Sequence, residues 1–145
     1  MTVCYNISPD LNMVIYVCRG LVNGADIFKT ADIVFRDERR RPGMITMIDL
    51  FYAVENFYLE DLHASIKRIE RALEEGIVPE PIVFLSRSKG IHLWAETIQM
   101  LPSKVLFQMK AFDSMDEAIV WLDLSAFQGE IIKFWHDCIA LSENS

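Results

Sequence analysis

The sequence predicts an α/β domain: a mixed sheet of about five strands, opened by an antiparallel hairpin and continued by β-α-β units. Helices flank the sheet, and one more is added at the C-terminal end. Three observations carry this reading. Two runs rich in β-branched and aromatic residues, "TVCYNIS" and "MVIYVCRG", are joined by the turn composition "PDLN". Short apolar runs then alternate with stretches whose apolar residues recur at helical spacing. Finally, 145 residues suffice for one complete core.

The first helix is expected in "NGADIFKTADIVFRDERRRPG", where Asn23 caps and Asp26 stands three residues on, beside the positive helix start. Ile27, Ala31, Val34 and Phe35 share one face. Arg39, Arg40 and Arg41 suit the negative end, and Pro42 with Gly43 stops the helix. "MITMIDLF" is apolar on both alternating faces, as a central strand covered on both sides is.

A second helix spans Tyr58 to Glu75, with Leu59, Leu62, Ile66, Ile69 and Leu73 as its stripe and Gly76 closing it. "PIVFLS" reads as a buried strand, "GIHLWAETIQML" as the third helix and "KVLFQM" as the fifth strand. In "SMDEAIVWL", Ser114 and Glu117 form a capping box ahead of an apolar stripe; Ser125 and Gln128 repeat the device before "EIIKFWHDCIAL". Residues 1–124 make the domain, and 125–145 are its helical extension.

Composition narrows the function. A formal charge of −7 opposes nucleic-acid binding, which needs a concentrated basic face. The apolar runs are too short to span a bilayer, and "MTVCYNISPD" lacks the basic start and long apolar stretch of a secretion signal, so a cytoplasmic location is expected. Cys4, Cys18 and Cys138 show no CxxC spacing, which suits reduced thiols rather than disulfides or zinc. His63, His92 and His136 sit on three different helices without metal-ligand spacing, and no GxSxG is present. No catalytic residue, cofactor or metal site is assigned.

In chain order, "DLNMVIYVCRGLVNGADI", "RPGMITMIDLFYAV" and "FDSMDEAIVWL" resemble the SpoIIAA-like, or STAS/SEC14-like, family of small bacterial domains, over roughly residues 5 to 124. The resemblance implies a four- or five-stranded sheet flanked by helices and, for most such domains, no established enzymatic activity. Classical STAS domains carry a phosphorylatable Ser or Thr at the start of the helix after this strand. With Asp49 and Leu50 on the family's Asp-Leu, that region falls on Phe57, Tyr58 and Leu59, and the first hydroxyl of that type is Ser65. A serine switch of the usual kind does not carry over. Neither does the lipid cavity of SEC14-type relatives, for want of residues to match.

Two candidate surfaces remain. Ligands of open α/β sheets gather beyond the carboxyl ends of the strands, which singles out Asp49, Tyr52 and Glu55, together with Ser86, Arg87, Ser88, Lys89 and His92 of the "SRSKGIH" connection. The backbone N–H groups at that helix start can hold a phosphate or carboxylate. The competing readings are that Asp49 accepts backbone N–H groups at its own turn and that the loop is a solvated cap. The second surface is the terminal stripe of Phe127, Ile131, Phe134, Trp135 and Cys138. It either folds back on its own sheet or forms the interface of a homodimer. The function expected is a non-enzymatic interaction or regulatory module with a protein partner; the alternative is a domain that binds a small anion or an apolar, lipid-like ligand.

Overall fold

Val3–Ser8 (β1) and Met13–Val22 (β2) form the expected hairpin, with Val3 opposite Cys18 and Ser8 opposite Met13. The Ser8 hydroxyl accepts the Leu11 N–H at 3.2 Å, and Asn12 closes the turn at a φ of 54°, a left-handed conformation that asparagine tolerates. The computed structural model describes residues 3–77, 80–100 and 108–144.

Helix α1 (Gly24–Phe35) begins at the Asn23 cap. Asn23 Oδ1 accepts from Asp26 N at 2.9 Å, and Asp26 returns a carboxylate oxygen to Asn23 N at 3.1 Å. The helix ends sooner than its basic run implies. Asp37 accepts the Arg39 N–H at 3.0 Å in a side-chain turn, so Arg39, Arg40 and Arg41 lie beyond the helix and do not serve its negative end. Arg39 instead contacts Asp37 and Asn6, and Arg40 pairs with Glu80.

Strand β3 (Ile45–Glu55) pairs parallel with β2 and runs four residues past Phe51, where the apolar run ends. Beyond it lie α2 (Leu59–Glu74), β4 (Ile82–Leu85), α3 (Lys89–Gln99), β5 (Met109–Phe112), α4 (Met115–Trp121) and α5 (Gln128–Glu143). Within "KVLFQM", residues 104–107 lie outside the described residues; β5 itself begins at Met109 and extends to Phe112. Ser125 does not cap α5. It starts a short 3-10 turn, Ser125–Phe127, and the Gln128 side chain donates to Asp116 Oδ1 at 3.1 Å.

The sheet order is β1-β2-β3-β4-β5, antiparallel at the first pair and parallel thereafter. Alternation sends Val14, Tyr16, Ile48 and Phe84 to one face, against α1, α2 and α3. Met13, Ile15, Val17, Met47, Val83 and Leu85 go to the other, against α4 and α5. Two covered faces explain why "MVIYVC" is apolar throughout. Ile131 and Cys138 of α5 are buried in this second layer. Their burial favours the reading in which the stripe folds back on its own sheet: each contributes to its own chain's core, worth about 2 kcal/mol for a fully buried isoleucine.

Candidate functional site

Asp49 is wholly buried, 0% exposed. It pairs with Val17 in the β2–β3 register, whereas Arg19 pairs with Tyr52, so β3 carries one extra residue at a bulge. The bulge frees the Phe51 N–H, and Asp49 Oδ1 accepts it at 2.8 Å. Trp135 Nε1 of α5 donates to the other oxygen at 2.7 Å. Burial raises the Asp49 pKa above its ordinary value, opposed by these two donors and by the positive charges of Arg19 and Arg87. With both oxygens engaged and no exposed surface, Asp49 joins strand to helix. Trp135 is thereby committed to its own chain as well.

The other strand-end candidates converge. Glu55 Oε1 accepts the Ser86 hydroxyl at 3.0 Å, and Ser86 Oγ accepts the Ser88 N–H at 3.0 Å. Ser88 caps α3, accepting from Ile91 N at 3.4 Å. His92 Nε2 lies 2.8 Å from the Ser86 carbonyl oxygen and 2.9 Å from Asp113 Oδ1, two acceptors, so that nitrogen carries its hydrogen. The ring thus meets the Ser86 backbone rather than its hydroxyl, and Ser86 is 1% exposed. This is a structural joint between β3, β4 and α3, not a nucleophile with its base.

Arg87 turns from the helix start to lie 4.5 Å above the Phe51 ring centroid, in a shallow cleft of about 450 Å³ shared with Tyr52, Asp113, Asp116 and Trp135. Lys89 opens α3 and is exposed. Because β2 and β3 outrun β4, Leu21, Tyr52 and Val54 stand 63%, 48% and 62% exposed at the projecting end. Phe127 of the terminal stripe is also exposed, and Phe134 is half-buried against the core.

The opposite face of the sheet holds a feature that the sequence reading missed. Helix α2 has no fully buried residue; its stripe of Leu62, Ile66, Ile69 and Leu73 stays half-buried. Beneath it lies a cavity of about 440 Å³, floored by Tyr16, Ile48 and Phe84 and walled by Ile27, Val34 and Ile69. Leu62 and Ile69 pack on the core, and among the described residues α2 also meets α1 at two places. At its start, Asp61 accepts the Tyr58 N–H at 2.8 Å and presses against α1 where Gly24 leaves room. Farther along, Arg68 pairs with Asp32 at 3.0 Å and covers the Phe28 ring. Exposed Phe35, Arg71, Glu75 and Ile77 rim the mouth.

The inner end of the cavity is polar. Arg40, before β3, pairs with Glu80, before β4, with side chains only 7% and 12% exposed. Among the described residues, Glu80 Oε2 alone is a buried side-chain oxygen or nitrogen with no hydrogen-bond partner. Burial also drives the Tyr16 phenol well above its usual range, so it stays protonated. The cavity lies toward the amino ends of β3 and β4, away from the strand ends where α/β ligands usually gather. The α2 stripe marked a buried face in the sequence, but spacing alone does not say how far a helix stands from its sheet.

No protein-family model and no curated protein matches the chain. Among solved structures it is similar to an uncharacterized protein from the DUF3478 family with a SpoIIAA-like fold, from Shewanella loihica PV-4. The two are 13% identical, with 83% of this chain and 91% of that one covered and a TM-score of 0.50. It is also similar to the anti-sigma factor antagonist SpoIIAA in its unphosphorylated form: 10% identity, 85% and 98% covered, TM-score 0.47. At such identity the first likeness speaks to architecture, and it agrees with the five-stranded mixed sheet and its flanking helices: this chain has a SpoIIAA-like fold.

Proposed function

We propose that the chain is a non-enzymatic binding module whose ligand is a small apolar molecule held between α2 and the sheet. The supporting observation is the 440 Å³ cavity under a helix that buries no residue completely. Its size falls in the range of small-molecule sites, and its lining is mostly apolar with a few convergent polar groups. The strand-end residues support the non-enzymatic part, since their hydrogen bonds are spent on one another. Native mass spectrometry of protein purified from its own host tests the reading: a retained small molecule is expected. Ala72→Trp, which fills the cavity from α2, should abolish retention in a chain that still folds. Unliganded protein that also fails to take up apolar probes would overturn it.

A second reading, a surface for a protein partner or a second copy of the chain, is favoured by the exposed strip of Leu21, Tyr52 and Val54. Sedimentation velocity of the wild type and of Tyr52→Ser/Val54→Ser distinguishes it: a dimer dissociated by the double substitution supports a second copy, and an unchanged monomer removes it. Among the described residues no helix is long and apolar enough to cross a membrane. The three cysteines are all thiols, which supports placing the module in the reducing cytoplasm.

A further inference from the structure

Charges of both signs line the cleft beside Phe51 without meeting one another. It lies toward the carboxyl ends of β3, β4 and β5, where ligands of α/β sheets gather, on the face of the sheet opposite the α2 cavity. The Arg87 guanidinium rests 4.5 Å above the Phe51 ring centroid, a contact that holds the group in place and leaves its N–H donors unspent. Among the described residues the Arg87 side chain makes no ion pair and no hydrogen bond. Asp113, just after β5, and Asp116 line the same cleft. Each has one oxygen engaged, Asp113 Oδ1 with His92 Nε2 at 2.9 Å and Asp116 Oδ1 with the Gln128 side chain at 3.1 Å. The second oxygen of each is left to accept from another donor.

We infer that the cleft binds a small zwitterion with an apolar side chain, an α-amino acid or a short peptide. Its carboxylate accepts from Arg87, its ammonium donates to Asp113 and Asp116, and its side chain lies along Tyr52 and Trp135. Arg87, Asp113 and Asp116 are all exposed, so a molecule in the cleft reaches their charged groups from solvent. The volume of about 450 Å³ falls in the range of small-molecule sites. A simple anion would answer Arg87 but crowd the two carboxylates, and a simple cation would do the reverse. An uncharged molecule would leave both signs unanswered. A zwitterion meets both and adds no net charge.

Chemical-shift titration of the full chain at neutral pH with phenylalanine, 3-phenylpropionate and phenethylamine tests this. The three share a phenylethyl frame and differ in which charges they carry. Phenylalanine is expected to bind about tenfold tighter than either of the others, the scale of one hydrogen bond to a charged group. Its shifts should cluster at Tyr52, Arg87 and Ser114. Arg87→Met, an exposed substitution, should weaken phenylalanine and 3-phenylpropionate about tenfold and leave phenethylamine unchanged. The dipeptide alanylphenylalanine, whose charges stand farther apart, separates the two sources: tighter binding than phenylalanine supports a peptide ligand, and weaker binding an amino acid. The wild-type series needs no variant to fold. Either single-charge probe binding as well as phenylalanine would overturn the zwitterion assignment. Shifts confined to the α2 cavity, or none with any probe, would overturn the site itself.

Discussion

The indole N–H of Trp135 reaches 86 residues back along the chain to donate to Asp49 at 2.7 Å, tying the last helix to the centre of the sheet. Removing the donor in Trp135→Phe leaves a buried carboxylate with the Phe51 N–H as its remaining hydrogen bond. A loss of about 2 kcal/mol is expected, in line with hydrogen bonds to charged groups. Asp49→Asn should cost a similar amount, because an amide accepts at one atom and donates at the other, while both partners here are donors. Urea melts of the two single variants and the double variant should show costs well below additive. Strict additivity would mean that the pair is not energetically linked.

The raised Asp49 pKa gives that comparison a pH dependence. Because burial raises the folded-state value above the ordinary 3.8, the folded chain holds this proton more tightly than the unfolded chain does. The contribution to stability is therefore fully present below the unfolded value and is lost as pH rises through the folded one. The stability of the wild type minus that of Asp49→Asn should fall as pH rises out of the acid range and then level off. Melts of both proteins in parallel buffers measure it; a difference that grows with pH would reverse the sign assigned to burial.

Gly24→Ala tests how α2 is held. A methyl at position 24 would stand 2.8 Å from the Asp61 Cβ, too close for two carbons, so Asp61 must move off its cap on Tyr58. The expected cost is about 1 to 2 kcal/mol. Hydrogen exchange should quicken in α2 while the β2 and β3 amides stay protected. Uniform loss of protection would show that the two helix starts are not a local hinge.

The thiols should respond unequally to alkylation of the folded protein. Cys18 and Cys138 are buried; desolvation lifts the Cys18 thiol far above its usual range and pushes Cys138 up to about 12. Cys4 lies on the edge strand and is half-buried. Peptide mass spectrometry after mild iodoacetamide treatment should find label at Cys4 at least about tenfold ahead of the other two. Equal labelling would place Cys18 and Cys138 in parts of the chain that open readily.

Much of the fold was legible because local chemistry and tertiary need agree. Asn23 with Asp26 and Ser114 with Glu117 stand where caps form, and Gly76 takes the positive φ at which α2 ends. Signals failed where two structures suit one pattern. "FYAVE" alternates as an exposed strand end does, with Ala53 inward and Tyr52 and Val54 outward, but follows so apolar a run that the strand seemed finished at Phe51. Ser125 and Gln128 have the spacing of a cap, which a 3-10 turn uses differently. At the strand ends the sequence picked residues that do meet, Glu55, Ser86, Ser88 and His92, without revealing that they satisfy one another. The Arg40–Glu80 pair joins residues 40 apart, and no periodicity announces such a contact.

Strand order that repeats chain order has a consequence for how the protein is made. Each new strand leaving the ribosome can dock on the one before it, so β1 through β5 can assemble as a ribbon growing at one edge. Helix α5 breaks that sequence of events, since it returns from the far end of the chain to cover β1 and β2 and to engage Asp49. Until α5 has emerged, the five-stranded sheet has one apolar face partly uncovered and a central carboxylate lacking its indole. Docking of α5 is thus the step that covers this face, and a nascent chain stalled before Trp135 is the form most in need of a chaperone.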